Sequence, residues 1–181
     1  MHYWTTEQVW PDGRTTLEPH FVTELASGLN YPKDGQWAPS KEEIEIFPEG
    51  SVARQGQHQV ILAGNFNSEG SIDLMTPDGK RLRSHVLGIA YLDTVTGRSE
   101  LIAQPKDSFG EVAGNRVIYR DAFRGPFLAD VRYTYTRGGF EQDIILHEAP
   151  PSPADYAMDP AFVRLEVWTE FLQPPVPTAR L

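Results

Sequence analysis

ADVRYTYTRGGFEQDIIL, residues 129–146, consists of two alternating runs on either side of a glycine pair. A period of two is the pattern of a half-buried β-strand, because successive side chains point to opposite faces. A glycine pair between two such runs is hairpin chemistry. A two-residue loop at Arg137-Gly138 pairs Tyr135 with Phe140, Tyr133 with Gln142 and Val131 with Ile144, and sets Arg132 opposite Asp143 and Thr134 opposite Glu141. Sliding the register by one residue would put tyrosines opposite acids and mix the faces, so the pattern selects an even-numbered loop. Val131, Tyr133, Tyr135, Phe140, Ile144 and Leu146 then form an apolar face. Asp130, Arg132, Thr134, Glu141, Asp143 and His147 form the polar one.

The same pattern recurs along the 181 residues. QVILA at 59–63 reads as a buried strand. SIDLMTPDGKRLRSHVLGIAYLD at 71–93 reads as a strand, a Pro77-Asp78-Gly79 turn and further strand. A hairpin turns at Thr96-Gly97, and Pro11-Asp12-Gly13 and Pro32-Lys33-Asp34-Gly35 mark two more turns. Short strands at this spacing predict an all-β fold, a β-sandwich of mostly antiparallel strands. At most one or two short helical turns are expected. One is at Ser40, where Ser40 and Glu43 match a capping box, and one is at 154–158. Residues 1–148 are assigned to the sandwich core. Four prolines between Pro150 and Pro160 make 149–160 a draped segment. Residues 161–172 alternate as a terminal strand docking on the core, and the proline-stiffened 173–181 reads as an exit linker from a longer polypeptide.

Composition narrows the function classes. Hydrophobic residues at 40% and charged residues at 23% are globular values. The net charge of −9 repels phosphate backbones, so nucleic acid is not an expected partner. No apolar run is long enough to span a bilayer, and membrane insertion is not expected. With no cysteine, thiolate catalysis, zinc–thiolate sites and disulfides are excluded.

Three groups of residues could carry chemistry. Glu141 and Asp143 lie two apart on one strand, roughly 6–7 Å at the backbone, within the carboxyl spacing of glycoside hydrolases. An acidic row opposite an arginine is also the ordinary wet side of a sheet, and the Arg132–Asp143 pairing favours that reading. Asn65, Asn67, Glu69 and Asp73 follow part of a calcium-loop spacing. However, Asn stands first where Asp is usual, and Thr76 stands where the bidentate glutamate belongs. Calcium is thus the one cofactor the residues suggest, and otherwise none is expected. Tyr31 and Trp37 flank the Pro32–Gly35 turn and could stack on a sugar ring. His2, His20, His58, His85 and His147 form no ligand pair in sequence.

Several motifs together resemble the N-terminal β-rich region of large secreted bacterial wall-associated proteins of the YD-repeat (RHS) type. The resemblance rests on Tyr31, Gly35 and Trp37 of SGLNYPKDGQW, on VIYRDAF with Tyr119, Asp121 and Phe123, on Gly125, and on residues 129–146 with Asp130, Tyr133, Gly139, Glu141, Asp143, Ile144, Ile145 and Leu146. It implies an extracellular or cell-surface β module beside neighbouring domains, and it carries over no catalytic residue. The expected function is a non-enzymatic structural or adhesive module that binds a glycan or another surface protein. The alternatives are a carbohydrate-binding module using Tyr31 and Trp37, and a small glycoside hydrolase using Glu141 and Asp143.

Overall fold

The computed structural model describes residues 2–10, 13–22 and 28–177. Pro11, Asp12 and residues 178–181 of the expected linker lie outside this set. All strand pairs are antiparallel. The larger sheet contains β5 (Glu45–Phe47), β6 (Gly50–Ala53), β7 (Gln59–Ala63), β8 (Ile72–Met75), β9 (Arg81–Asp93), β10 (Ser99–Pro105), β13 (Phe123–Arg124) and β16 (Val163–Leu172). Its order is β13-β10-β9-β8-β7-β6-β5, with β16 on the other edge of β9. The smaller sheet runs β11 (Gly110–Ala113), β12 (Arg116–Tyr119), β14 (Ala129–Tyr135) and β15 (Phe140–Leu146). Two hairpins stand as separate two-stranded sheets, β1 (His2–Val9) with β2 (Thr15–Val22) and β3 (Asn30–Lys33) with β4 (Gln36–Pro39).

β9 is long enough to serve two neighbours on one edge, β8 at residues 81–84 and β10 at 89–92. The register against β16 shifts between Trp168 and Thr169, leaving Leu87 as an extra residue on β9. Gly88 follows with φ +154, and a Cβ there would lie 2.4 Å from the Ala103 carbonyl oxygen. Only glycine lets the strand bend at this bulge and pass so close to β10.

The core lies between the two sheets. Val60, Leu62, Ile72, Ile89 and Phe66 on one side meet Val117, Tyr119, Val131, Tyr133 and Tyr135 on the other. Aromatic rings step across it. Phe140 stacks on Tyr133 at 5.4 Å, Tyr133 meets Tyr119 edge-on at 6.0 Å, and Tyr119 meets Phe66 at 5.4 Å. The three phenols of this path and its flank are hydrogen-bonded, as most buried hydroxyls are. Tyr119 donates to the Ala63 carbonyl at 2.5 Å, Tyr135 to the His58 carbonyl at 2.8 Å, and Tyr133 to Gln142 Oε1 at 2.8 Å. Burial pushes the Tyr119 and Tyr133 phenols well above their usual range, and that of Tyr135 to about 12. The phenols therefore remain donors at any physiological pH.

The hairpin register is the one its pattern selects. Tyr135 faces Phe140, Tyr133 faces Gln142, Arg132 faces Asp143 and Thr134 faces Glu141. Thr136 N–H bonds the Gly139 carbonyl, closing the two-residue loop. The all-β class holds, and no helix reaches seven residues. The capping-box pattern at Ser40 gives no helical turn: residues 40–44 are irregular and lead into β5. Ser40 is buried, and its N–H is held by the Leu29 carbonyl. The proline-rich segment forms two 3₁₀ turns, Pro153–Tyr156 and Pro160–Phe162. It is tied to the core by Tyr91, which donates to the Pro151 carbonyl, and by buried Met158. β16 then pairs with β9 along its length. The β1–β2 hairpin differs from the rest. Trp4, Val9, Trp10 and Leu17 are all exposed, so the described side chains on both of its faces stay outside the core.

Tyr119→Phe removes only the hydroxyl and orphans the Ala63 carbonyl. We expect a loss of about 1–3 kcal/mol in urea unfolding. A loss within error of zero would mean that this bond does not join the sheets.

Candidate functional site

The outward face of the larger sheet carries the most developed surface. Cross-strand registers set Glu45, Val52, Ile61, Asp73, Arg83 and Leu172 in one row across six strands. Beside it, Phe47, Gly50 and Ala63 form a second row, and Ala63 N–H bonds the Ser71 carbonyl. Gly50, Ala63 and Ser71 bear almost no side chain, so the face sinks between Phe47 and Ile61 on one flank and the arginines on the other. The depression encloses about 380 Å³. It adjoins a second of about 250 Å³ along Val52, Ile61, Asp73 and Arg81, and a third of about 460 Å³ between Arg83 and Phe171.

Four charged groups on this face are held in two pairs. Arg81 grips Asp73 through both Nε, at 2.9 Å, and Nη2. Arg54 holds Glu45 in the same two-pronged way at 3.0 and 2.7 Å, and its guanidinium sits 5.9 Å over the Phe47 ring. The Arg54 bonds hold the Glu45 carboxyl below its ordinary range. Arg83 has a looser place, its Nε 4.0 Å from an Asp73 oxygen that Arg81 already engages. Ser71 is 2% exposed, and its hydroxyl has no hydrogen-bond partner. Ile61 is 48% exposed and Phe47 44%. An apolar floor with paired charges at its rim suits contact with another surface or an amphipathic ligand.

A second cluster sits at the base of the β14–β15 hairpin. Asp130 is 3% exposed although alternation puts it on the polar face. Its Oδ1 accepts the Asp121 N–H at 2.7 Å. Its Oδ2 lies 2.9 Å from His147 Nε2 and 3.2 Å from Arg120 Nη1. Burial pushes the Asp130 carboxyl up, but the Asp121 N–H, His147 and Arg120 outweigh it and leave the group below its ordinary range. Asp121 has φ +43, a left-handed conformation aspartate tolerates, and its own carboxylate takes Lys106 Nζ at 2.7 Å. Every oxygen of Asp130 is engaged, so the cluster works as a latch between 120–130 and the end of β15. Strand parity brings Asp130 and His147 to one side, but the burial of Asp130 comes from Arg120 and Asp121, a non-local contact that parity does not reveal.

Glu141 is exposed opposite Thr134, and Asp143 takes Arg132 at 3.0 and 3.1 Å. The pair lies on an open sheet face, with no cleft around it. Tyr31 and Trp37 do not come together: Tyr31 is 7% exposed and Trp37 72%. Tyr31 faces Ala38 across the hairpin while Trp37 faces Pro32, so their side chains point to opposite faces. Of the calcium candidates, Asn65 and Asn67 both donate to Asp107 Oδ1, at 2.9 and 3.2 Å, and Asn65 Oδ1 accepts the N–H groups of Asn67 and Ser108. The Asn65 and Asn67 bonds hold the Asp107 carboxyl below its usual range. Asp73 belongs to the outward face with Arg81, and Glu69 lines the recess beside Arg83. Among the described residues no three of His, Asp or Glu are grouped to hold a metal ion, and no helix is long and apolar enough to cross a membrane. No family model matches the chain, and neither a curated protein nor a solved structure matches it.

Two outcomes follow from these geometries. A carboxyl whose folded pKa is depressed stabilises the fold above its unfolded pKa, and that stability is lost as pH falls through the folded value. Asp130→Asn should therefore cost about 2–3 kcal/mol at pH 7, with the gap to wild type narrowing below about pH 4. A gap unchanged between pH 7 and pH 3 would show that the charge is irrelevant. Calcium at millimolar concentration should leave the melting temperature unchanged, because the Asn65 oxygens are already bonded. A dose-dependent rise would show that the loop reorganises around the ion.

Proposed function

We propose that this chain is a non-enzymatic structural or adhesive module of a secreted or cell-surface bacterial multidomain protein. The observation that carries the reading is the outward face of the larger sheet, where Ile61 and Phe47 stay exposed around a shallow depression bordered by the Arg81–Asp73 and Arg54–Glu45 pairs. Paired arginines and carboxylates keep a surface soluble while leaving it able to exchange partners on contact. The resemblance of residues 29–146 to the YD-repeat group supports a place beside neighbouring domains outside the cell. Of the residues that carry the resemblance, Tyr31, Tyr119, Phe123 and Tyr133 are core, and Asp121 and Asp130 belong to the latch. The net charge of −9 disfavours nucleic acid as a partner. Carbohydrate binding is the second reading. Trp37, 72% exposed at the edge of a tight hairpin, supports it as a single stacking platform.

Retention on bacterial cell-wall preparations, together with turnover of a panel of glycoside substrates, tests the proposal. Retention without turnover is expected. Ile61→Glu should weaken it about tenfold, the size of a lost interface anchor, with melting temperature unchanged. Loss through Trp37→Ala instead would assign the sugar reading. Turnover abolished by Glu141→Gln with Asp143→Asn would overturn the module in favour of a hydrolase.

A further inference from the structure

β16 is the longest free edge of the larger sheet. Its ten residues pair with β9 on one side and with no strand on the other among the described residues. Free edges expose a row of unpaired N–H and C=O groups, and most proteins keep them short or guard them with charge. The end strands β5 and β13 of the larger sheet and both end strands of the smaller sheet follow that rule. β5, β11 and β13 have three, four and two residues. β15 carries Glu141 and Asp143, and two-fold pairing with itself centred on Gln142 or Asp143 would set carboxylate against carboxylate. β16 carries Arg164, Glu166 and Glu170, whose opposite signs penalise some self-pairing registers and leave one favourable. Leu165, Val167 and Phe171 share one parity and are 44%, 39% and 51% exposed.

We propose that β16 pairs antiparallel with β16 of a second copy of this chain, joining two larger sheets edge to edge about a two-fold axis. The charge pattern of VRLEVWTEFL, residues 163–172, selects both the partner and the register. Centring on Val167 puts Arg164 opposite Glu170 of the partner, and by symmetry Glu170 opposite the partner's Arg164. In that register Val163 faces Phe171, Leu165 faces Thr169 and Val167 faces itself, so the apolar residues of both copies share one face. Centring on Glu166 would set that carboxylate against itself, and centring on Trp168 would set Glu166 against Glu170. Arg164 makes no ion pair among the described residues, whereas Glu170 lies 3.4 Å from His85 Nε2 at the rim. Two opposite-charge cross-strand pairs and a continuous ladder reward this register, and like charges penalise its neighbours. The inference does not depend on the adhesive reading.

Sedimentation velocity of the full chain, from micromolar concentration to about ten times the dissociation constant it reveals, tests the proposal. A monomer–dimer equilibrium is expected. Arg164→Glu should weaken it about tenfold, since both cross-strand pairs become repulsive. Adding Glu170→Arg to that variant should restore it, because the charges are then exchanged but still opposed. Val167→Lys, two ammonium groups face to face, should give monomer with a native circular dichroism spectrum. A chain that stays monomeric near 100 µM, where edge-strand dimers of ordinary affinity assemble, would overturn the proposal. So would a dimer indifferent to Arg164→Glu, or a double variant no tighter than the single. Rescue by the double variant also separates lost pairing from lost folding.

Discussion

Two tyrosine hydroxyls fix how the two sheets meet. Two sheets packed through aliphatic residues alone can slide, because dispersion contacts have little direction. The Tyr119 phenol on β12 and the Tyr135 phenol on β14 bond main-chain carbonyls at the two ends of β7, Ala63 and His58. These bonds span the core at two points and set both spacing and alignment. The ring-on-ring path through Tyr133, Tyr119 and Phe66 fills the space between them. Gly56 keeps the site clear, since a Cβ there would lie 2.1 Å from the Tyr135 hydroxyl.

The rest of the surface follows from that constraint. With the inner faces committed to the core, the outward face of the larger sheet is left to solvent, and its cross-strand rows place small residues together to form the depression. The Asn65–Asp107 knot and the Asp130 latch close the loops that run between the sheets. Their polar groups bond one another, so they serve as fastenings. The unsatisfied Ser71 hydroxyl, the loosely held Arg83 and the unpaired β16 edge lie on the outward face or rim of the larger sheet.

Much of the fold was legible because its signals were local. The hairpin register of residues 129–146 followed from alternation and a glycine pair, and the docking of 163–172 from its own alternation. The 3₁₀ turn at Pro153–Tyr156 also lay where a turn was expected. What stayed hidden depends on contacts far apart in sequence. The Ser40 capping pattern was overridden because Ser40 is buried and its N–H goes to Leu29. Asp130 is buried through Arg120 and Asp121, which parity cannot show. Tyr31 and Trp37 are close in sequence, but the two-residue turn sends them to opposite faces. The outward depression draws residues from five strands, none of which carries a motif by itself.

Native-state hydrogen exchange read amide by amide tests the clasp most directly. If the tyrosine bonds hold the sheets together, the slowest amides fall in β7, β12 and β14, exchange only through global unfolding, and lose protection together in Tyr119→Phe. If β7 instead exchanges as fast as the short edge strands β5 and β11, while the smaller sheet stays protected, the two sheets open independently and the clasp is not what unites the fold.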